Sequence, residues 1–156
     1  MTDAAKTIEA TMPKAVRRAF MVIALLALAG IAVSSIALRH HYRTSQTSYC
    51  DFGENFSCDI VNRSVYSTVF GVPDALIGIL GYASLLALAT AYRAKAEAPT
   101  MLLIASVAGL SFALYLTYIE AFVLATWCIL CLSSLSLIIL ITGLSSFLVA
   151  RAVRRS

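Results

Sequence analysis

Apolar positions in this chain are collected into four long runs and are not spread evenly along it. The first goes from about Phe20 to Leu38 without a charged residue. The second begins near Pro73 and ends near Tyr92, the third covers roughly Met101 to Phe122, and the fourth roughly Trp127 to Ala150. At 1.5 Å rise per residue each makes a helix of about 28–36 Å, against roughly 30 Å of bilayer hydrocarbon. The pattern predicts four transmembrane helices. Barrel strands would need only about 10 residues each and would alternate in polarity, and no such alternation is present.

Composition agrees. Of 156 residues 60% are hydrophobic and only 13% charged, where a soluble domain carries about a quarter charged residues. The fold class expected is an all-α integral membrane protein, a four-transmembrane-helix bundle with an external loop carrying a short interfacial helix over Ser64 to Phe70. Three segments follow: an N-terminal tail over 1–19, with nothing in it to form a core, a four-helix catalytic domain over 20–150 whose external loop is about 39–72, and a C-terminal tail over 151–156. Lys14, Arg17 and Arg18 precede the first run, as in a secretory signal. That run is longer than the usual 7–15 apolar residues of such a segment, and Arg39, His40 and His41 follow at once, so an uncleaved anchor is expected.

Charge sets the orientation. Lys6, Lys14, Arg17, Arg18, Arg93, Lys95, Arg151, Arg154 and Arg155 all fall on one side of the predicted helices, and only Arg39, Arg43 and Arg63 on the other. The positive-inside rule then puts both termini and the middle loop in the cytoplasm and the segment from Arg39 to Val72 outside. The net charge of +4 is explained by these flanks. With no basic stripe or aromatic platform, nucleic acid is not an expected partner.

The four cysteines then fall on one side. Cys50 and Cys58 sit in the external loop, with Asp51, Gly53, Glu54 and Asn55 between them suiting a solvated turn. Cys128 and Cys131 form a C-x-x-C at the outer end of the fourth helix. Positions i and i+3 share a helix face, so the two sulfurs can bridge. A helix N-terminus favours the thiolate, the attacking species in thiol–disulfide exchange, and Thr126 is a plausible cap. A solvent-exposed pair can meet a soluble partner and a membrane pair a lipophilic one, so two pairs in series make an electron relay. Taken alone, the loop pair fits a structural staple as well, and the C-x-x-C fits two small buried residues. A four-cysteine zinc site suits only one of the two spacings, and no metal is expected.

The order and spacing of these residues resemble the vitamin K epoxide reductase family, in its bacterial members that drive disulfide formation. The elements are Cys50 and Cys58, Ser64 six residues later, Phe70-Gly71-Val72-Pro73 opening a helix with Leu80-Gly81-Tyr82 inside it, Tyr115-Leu116-Thr117-Tyr118-Ile119-Glu120, and Trp127-Cys128-Ile129-Leu130-Cys131. The resemblance implies a four-helix bundle holding a quinone (ubiquinone, menaquinone or related) beside the C-x-x-C. It implies that Cys131 faces the quinone, that Cys128 exchanges with the loop pair through Cys58, and that Cys50 meets a thioredoxin-like periplasmic oxidase of the DsbA type. Relatives with a fused thioredoxin domain carry it after a fifth helix; this chain stops at Ser156, so a separate partner is expected. The DsbB type of four-helix enzyme runs the same relay with the C-x-x-C before the loop pair, the reverse of the order here. The place implied is a bacterial inner membrane, with the active cysteines on the periplasmic side.

Beside the cysteines, the residues expected to bind or support the quinone are Ser64, Tyr66, Phe70, Tyr118, Leu124 and Trp127. The aromatics among them also suit an interfacial belt. Glu120 is the only charge between Met101 and Ala150. An acid at membrane depth is a functional candidate, but its place near the outer end of the third helix favours an interfacial role. Gly78, Gly81, Ala83 and Ala87 are expected to let the second helix pack closely, and Asp74 suits a helix start. Two rivals remain: a reductase acting on vitamin K epoxide itself, and a non-enzymatic tetraspan protein with a structural loop disulfide, in which the membrane C-x-x-C has no role.

Overall fold

The computed structural model describes residues 13–42, 61, 64, 67–69 and 71–154. Four helices carry nearly all of them. Helix α1 is Lys14–Tyr42, α2 is Asp74–Thr90, α3 is Ala98–Ile119, continued by a π-helical turn over Glu120–Leu124, and α4 is Ile129–Val153. Each packs on two neighbours: α1 on α2 and α4, α3 on α2 and α4. The four close into a bundle.

A repeat of small and apolar residues builds α1 into that bundle. Phe20, Ile23, Ala27, Gly30, Ser34 and Ala37 are buried, spaced three and four apart as one helical face demands. Gly30 is required by close approach, since a Cβ there would run into the ring of Tyr82, and a Cβ on Gly78 would come 2.8 Å from Ser34 Oγ. The core also includes Tyr82, Leu85, Leu102, Ile138, Ile141 and Leu148, with Ser106 and Ser145 fully buried among the helices. Large apolar side chains also point outward on every helix, among them Leu25, Leu28, Leu76, Leu80, Ile104, Leu114, Ile139 and Leu140. A helix facing water puts polar residues there; these faces suit lipid.

Three helices, Lys14–Tyr42, Ala98–Leu124 and Ile129–Val153, are long and apolar enough to cross a membrane, while Asp74–Thr90 is a shorter apolar helix. Helix α1 begins at Lys14, ahead of the start expected at residue 20, and buries Ala19 and Phe20. The residues just before the apolar run therefore help to form the core. The reason is that basic side chains flanking the run keep the helical period and leave every third or fourth position free to pack. Packing by small residues is also more selective than expected: Gly81 has open space where its Cβ would be, and Ala83 and Ala87 are exposed.

Ahead of α2 the chain makes a hairpin where the helix expected from Ser64 to Phe70 would end. Ser67 stands in a 3-10 turn, its N–H donating to the Ser64 carbonyl at 3.1 Å, and residues 65, 66 and 70 of that span lie outside the described residues. Strand β1, Thr68–Val69, pairs antiparallel with β2, Val72–Pro73, in the register Thr68–Pro73 and Val69–Val72. Gly71 at its turn has φ +80°, a conformation that costs glycine nothing and other residues about 1–2 kcal/mol. Proline and β-branched residues favour the extended form. Asp74 then opens α2 as expected, its Oδ1 accepting from the Ala75 N–H at 2.7 Å.

Candidate active site

The link between α3 and α4 builds the site. At Glu120 the α-helix widens into the π-turn, and the Ala125 N–H donates to the Glu120 carbonyl, as does the Thr126 N–H at 3.1 Å. Ala125 ends the turn in the left-handed region, φ 49° and ψ 31°. That is an uncommon place for a non-glycine residue and the kind of local strain that gathers at functional sites. The chain then runs extended into Cys128, the N-cap of α4, and the Cys128 carbonyl accepts from the Leu132 N–H at 3.0 Å. Cys131 follows in the first helical turn. Thr126 does not cap α4; its hydroxyl donates to the Leu124 carbonyl at 3.1 Å, because the link places it two residues ahead of the N-cap, Cys128.

Glu120 is drawn in by this path. It is 1% exposed, not interfacial, and one oxygen accepts from the Cys128 N–H at 3.2 Å. Its other oxygen, Oε1, is buried with no hydrogen-bond partner among the described residues. A carboxylate oxygen of Glu120 and the sulfurs of Cys128 and Cys131 all lie within 4.8 Å of one another. Leaving a buried polar atom unsatisfied costs about 1–3 kcal/mol, more for a charged group. A fold keeps such a group where its chemistry is used. The three donors are one short of a structural zinc set.

Cys128 is fully buried, packed with Val61, Leu124 and Leu130. Cys131 reaches the wall of a cavity of about 440 Å³ to which all four helices contribute, through residues such as Ser34, Asp74, Tyr82, Phe112, Leu116 and Leu130. The volume lies in the range of small-molecule sites, and the wall is mostly apolar with a few polar groups, as such sites are. Tyr82 is tied across the bundle, its hydroxyl donating to the Ser134 carbonyl at 2.8 Å and lying 2.9 Å from Ser134 Oγ. The wall suits an apolar ligand, with Cys131 at one edge.

A second, small pocket lies beside the first, lined by Val61, Ser64, Ser67, Asp74, Leu116, Ile119, Glu120 and Leu124. Ser64 thus stands next to Glu120, its hydroxyl donating to the Val61 carbonyl at 2.9 Å, and Leu124 borders the same space. Tyr118 does not join them. It is exposed, its ring 4.9 Å from that of Phe122, because the helical period turns it outward between Leu116 and Ile119. Trp127 is half-buried and lines neither cavity. Cys50, Cys58, Tyr66 and Phe70 lie outside the described residues. Asp74, Tyr82, Ser134 and Glu120 were not singled out for the site from sequence, although the charge of Glu120 in an apolar run was a signal for it.

The model of the vitamin K epoxide reductase family matches residues 21–146, a stretch that includes both the cysteine pair and every helix lining the cavity. A search of curated proteins gave no match.

Proposed function

The chain belongs to the vitamin K epoxide reductase family, and from that premise we propose that it is a quinone-dependent thiol oxidoreductase driving disulfide formation. The family and the helices make it a membrane oxidoreductase with a cysteine pair at its site. One observation carries the finer reading: Cys131 edges an apolar cavity built by all four helices, with Cys128 one turn away and buried. A pair so placed faces a lipophilic partner on one side, and thiols at a helix start are suited to exchange.

In this reading a reduced thioredoxin-like oxidase of the DsbA type gives two electrons to the Cys50–Cys58 disulfide. The loop dithiol passes them to the Cys128–Cys131 disulfide, by attack on Cys128, which frees Cys131 toward the cavity. A quinone supplies the two-electron, two-proton acceptor, and re-forming the bridge completes the cycle. Asp74, Tyr82 and Ser134 are the polar groups at the cavity able to orient quinone oxygens, while Phe112, Leu116 and Leu130 exclude water.

All four helices cross the bilayer in this reading. Seventeen residues of α2 make about 25 Å, within the lower range of spanning helices, and its Leu76 and Leu80 face outward. In this reading both termini lie in the cytoplasm and the cysteines on the periplasmic side of a bacterial inner membrane, an orientation supported by nine basic residues on one side of the helices against three on the other.

The test is quinone consumption by purified protein in detergent with a reduced DsbA-type donor, run on wild type, Cys131→Ala and Cys50→Ala. Turnover by wild type alone supports the relay. A wild type inert toward several quinones, with its loop disulfide intact, sinks it. A parallel assay with vitamin K epoxide separates the two substrates.

A further inference from the structure

The quinone reaction moves two protons as well as two electrons, and the cysteines alone give no route for them. Glu120 is buried inside the bundle, lies against the redox pair, and has an oxygen with no hydrogen-bond partner among the described residues. A structural role explains only its other oxygen, on the Cys128 N–H. The small pocket beside it has room for about one water, some 10 Å³, and is edged by Ser64 and Ser67. Asp74 borders this pocket and also the large cavity that Cys131 reaches. Among the described residues, the groups that act on the two acids are Cys128 and Cys131 from the start of α4, each acid on the other and, at Asp74, His41 from the end of α1.

We propose that Glu120 is a catalytic proton acceptor for the Cys128–Cys131 pair, and that Asp74 hands the proton on to the wall of the large cavity. The inference deepens the quinone reading and rests on it for the destination of the proton. When the pair is oxidised, the S–H bond of Cys131 breaks and its proton goes to Glu120. The S–S bond to Cys128 forms, and the second thiol proton follows through the same carboxylate once Asp74 has emptied it. Two electrons and two protons leave together, so dithiol plus quinone gives disulfide plus quinol. The carboxylate oxygen and both sulfurs lie within 4.8 Å of one another, a reach that tightens to hydrogen-bond distance when a proton is transferred.

Glutamine at this position keeps the size of the side chain and an oxygen for the Cys128 N–H, so Glu120→Gln removes the proton acceptor and spares the positioning role. The reporter is alkylation of Cys131 by iodoacetamide in the reduced protein, followed against pH and mapped by mass spectrometry, which needs neither quinone nor partner. Glu120→Gln should slow alkylation near neutral pH by roughly tenfold, with unfolding temperature unchanged, because it removes the base that takes the thiol proton as the sulfur attacks. Glu120→Asp should recover part of the rate. Asp74→Asn should not slow alkylation, and should lower quinone turnover by about 10²-fold, the lower range for a lost acid–base group.

Unchanged or faster alkylation in Glu120→Gln overturns the proposal, since removing a mere negative charge would favour the thiolate. Equal profiles for Glu120→Asp and Glu120→Gln do the same. Time-resolved infrared difference spectra taken while quinone oxidises the reduced wild type read the transient protonation without a variant, and a series lacking any carboxyl change during turnover overturns it too. If Glu120→Gln slows alkylation while wild type reduces no quinone, proton acceptance by Glu120 stands and the quinone reading fails alone.

Discussion

The two ends of this bundle are built on opposite principles. Toward the α2–α3 turn, Ala19, Phe20, Ala89, Ala98, Leu102 and Leu148 fill the space between helices. Toward the α3–α4 link, the helices part around a cavity of about 440 Å³, and a carboxylate is buried beside two sulfurs. One end gains stability from contact. The other gives contact up for a space and holds a polar group that packing alone would reject. Lipid offers little hydrophobic drive between helices, so close fit at the packed end has to carry the assembly.

Two glycines test that contrast, one in each kind of environment. Gly30→Leu should have the largest effect, because its Cβ meets the mid-ring of Tyr82, itself fixed by Ser134. Overpacking of this kind costs about 1–3 kcal/mol or more, to be read as a lowered unfolding temperature in detergent. Gly81→Leu should do the reverse. Gly81 lines the cavity and has open space around it, so stability should hold while KM for quinone rises about tenfold, a loss of about 1.4 kcal/mol. Equal stability losses in the two variants would mean that the cavity is no different from the packed end.

Smaller effects sharpen the picture at the link. Ala125→Gly should relieve the left-handed backbone by up to about 1 kcal/mol, raising the midpoint of denaturant unfolding. If turnover falls as stability rises, the strained residue aims Cys128; if both rise, it does not. Tyr118→Ala is expected to do least. Its ring lies outside the cavity, so KM for quinone should stay within about twofold, a difference below 0.5 kcal/mol, and a larger change would place the quinone on the outer face of α3.

Much of this architecture was legible in the chain. Long uncharged runs read as helices because lipid forces backbone groups to be satisfied within each segment, and Cys128 and Cys131 read as one site because three residues make nearly one turn. Asp74 read as a helix start because an acid suits that end. Other features were decided by packing. Tyr118 was expected to bind or support the quinone, and the helical period turns its side chain outward, away from the cavity that Cys131 reaches. Gly78 and Gly81 looked alike, yet only one meets a neighbour.

Sequence by itself determined that the chain is helical and apolar, and which cysteines stand one turn apart, since these depend on composition and local period. The tertiary structure alone decided where the empty space lies, and that Glu120 folds inward onto the cysteines. Both depend on how four helices lean together and on a π-turn followed by one left-handed residue. Small rotations there set which face a side chain takes, and no local pattern encodes them.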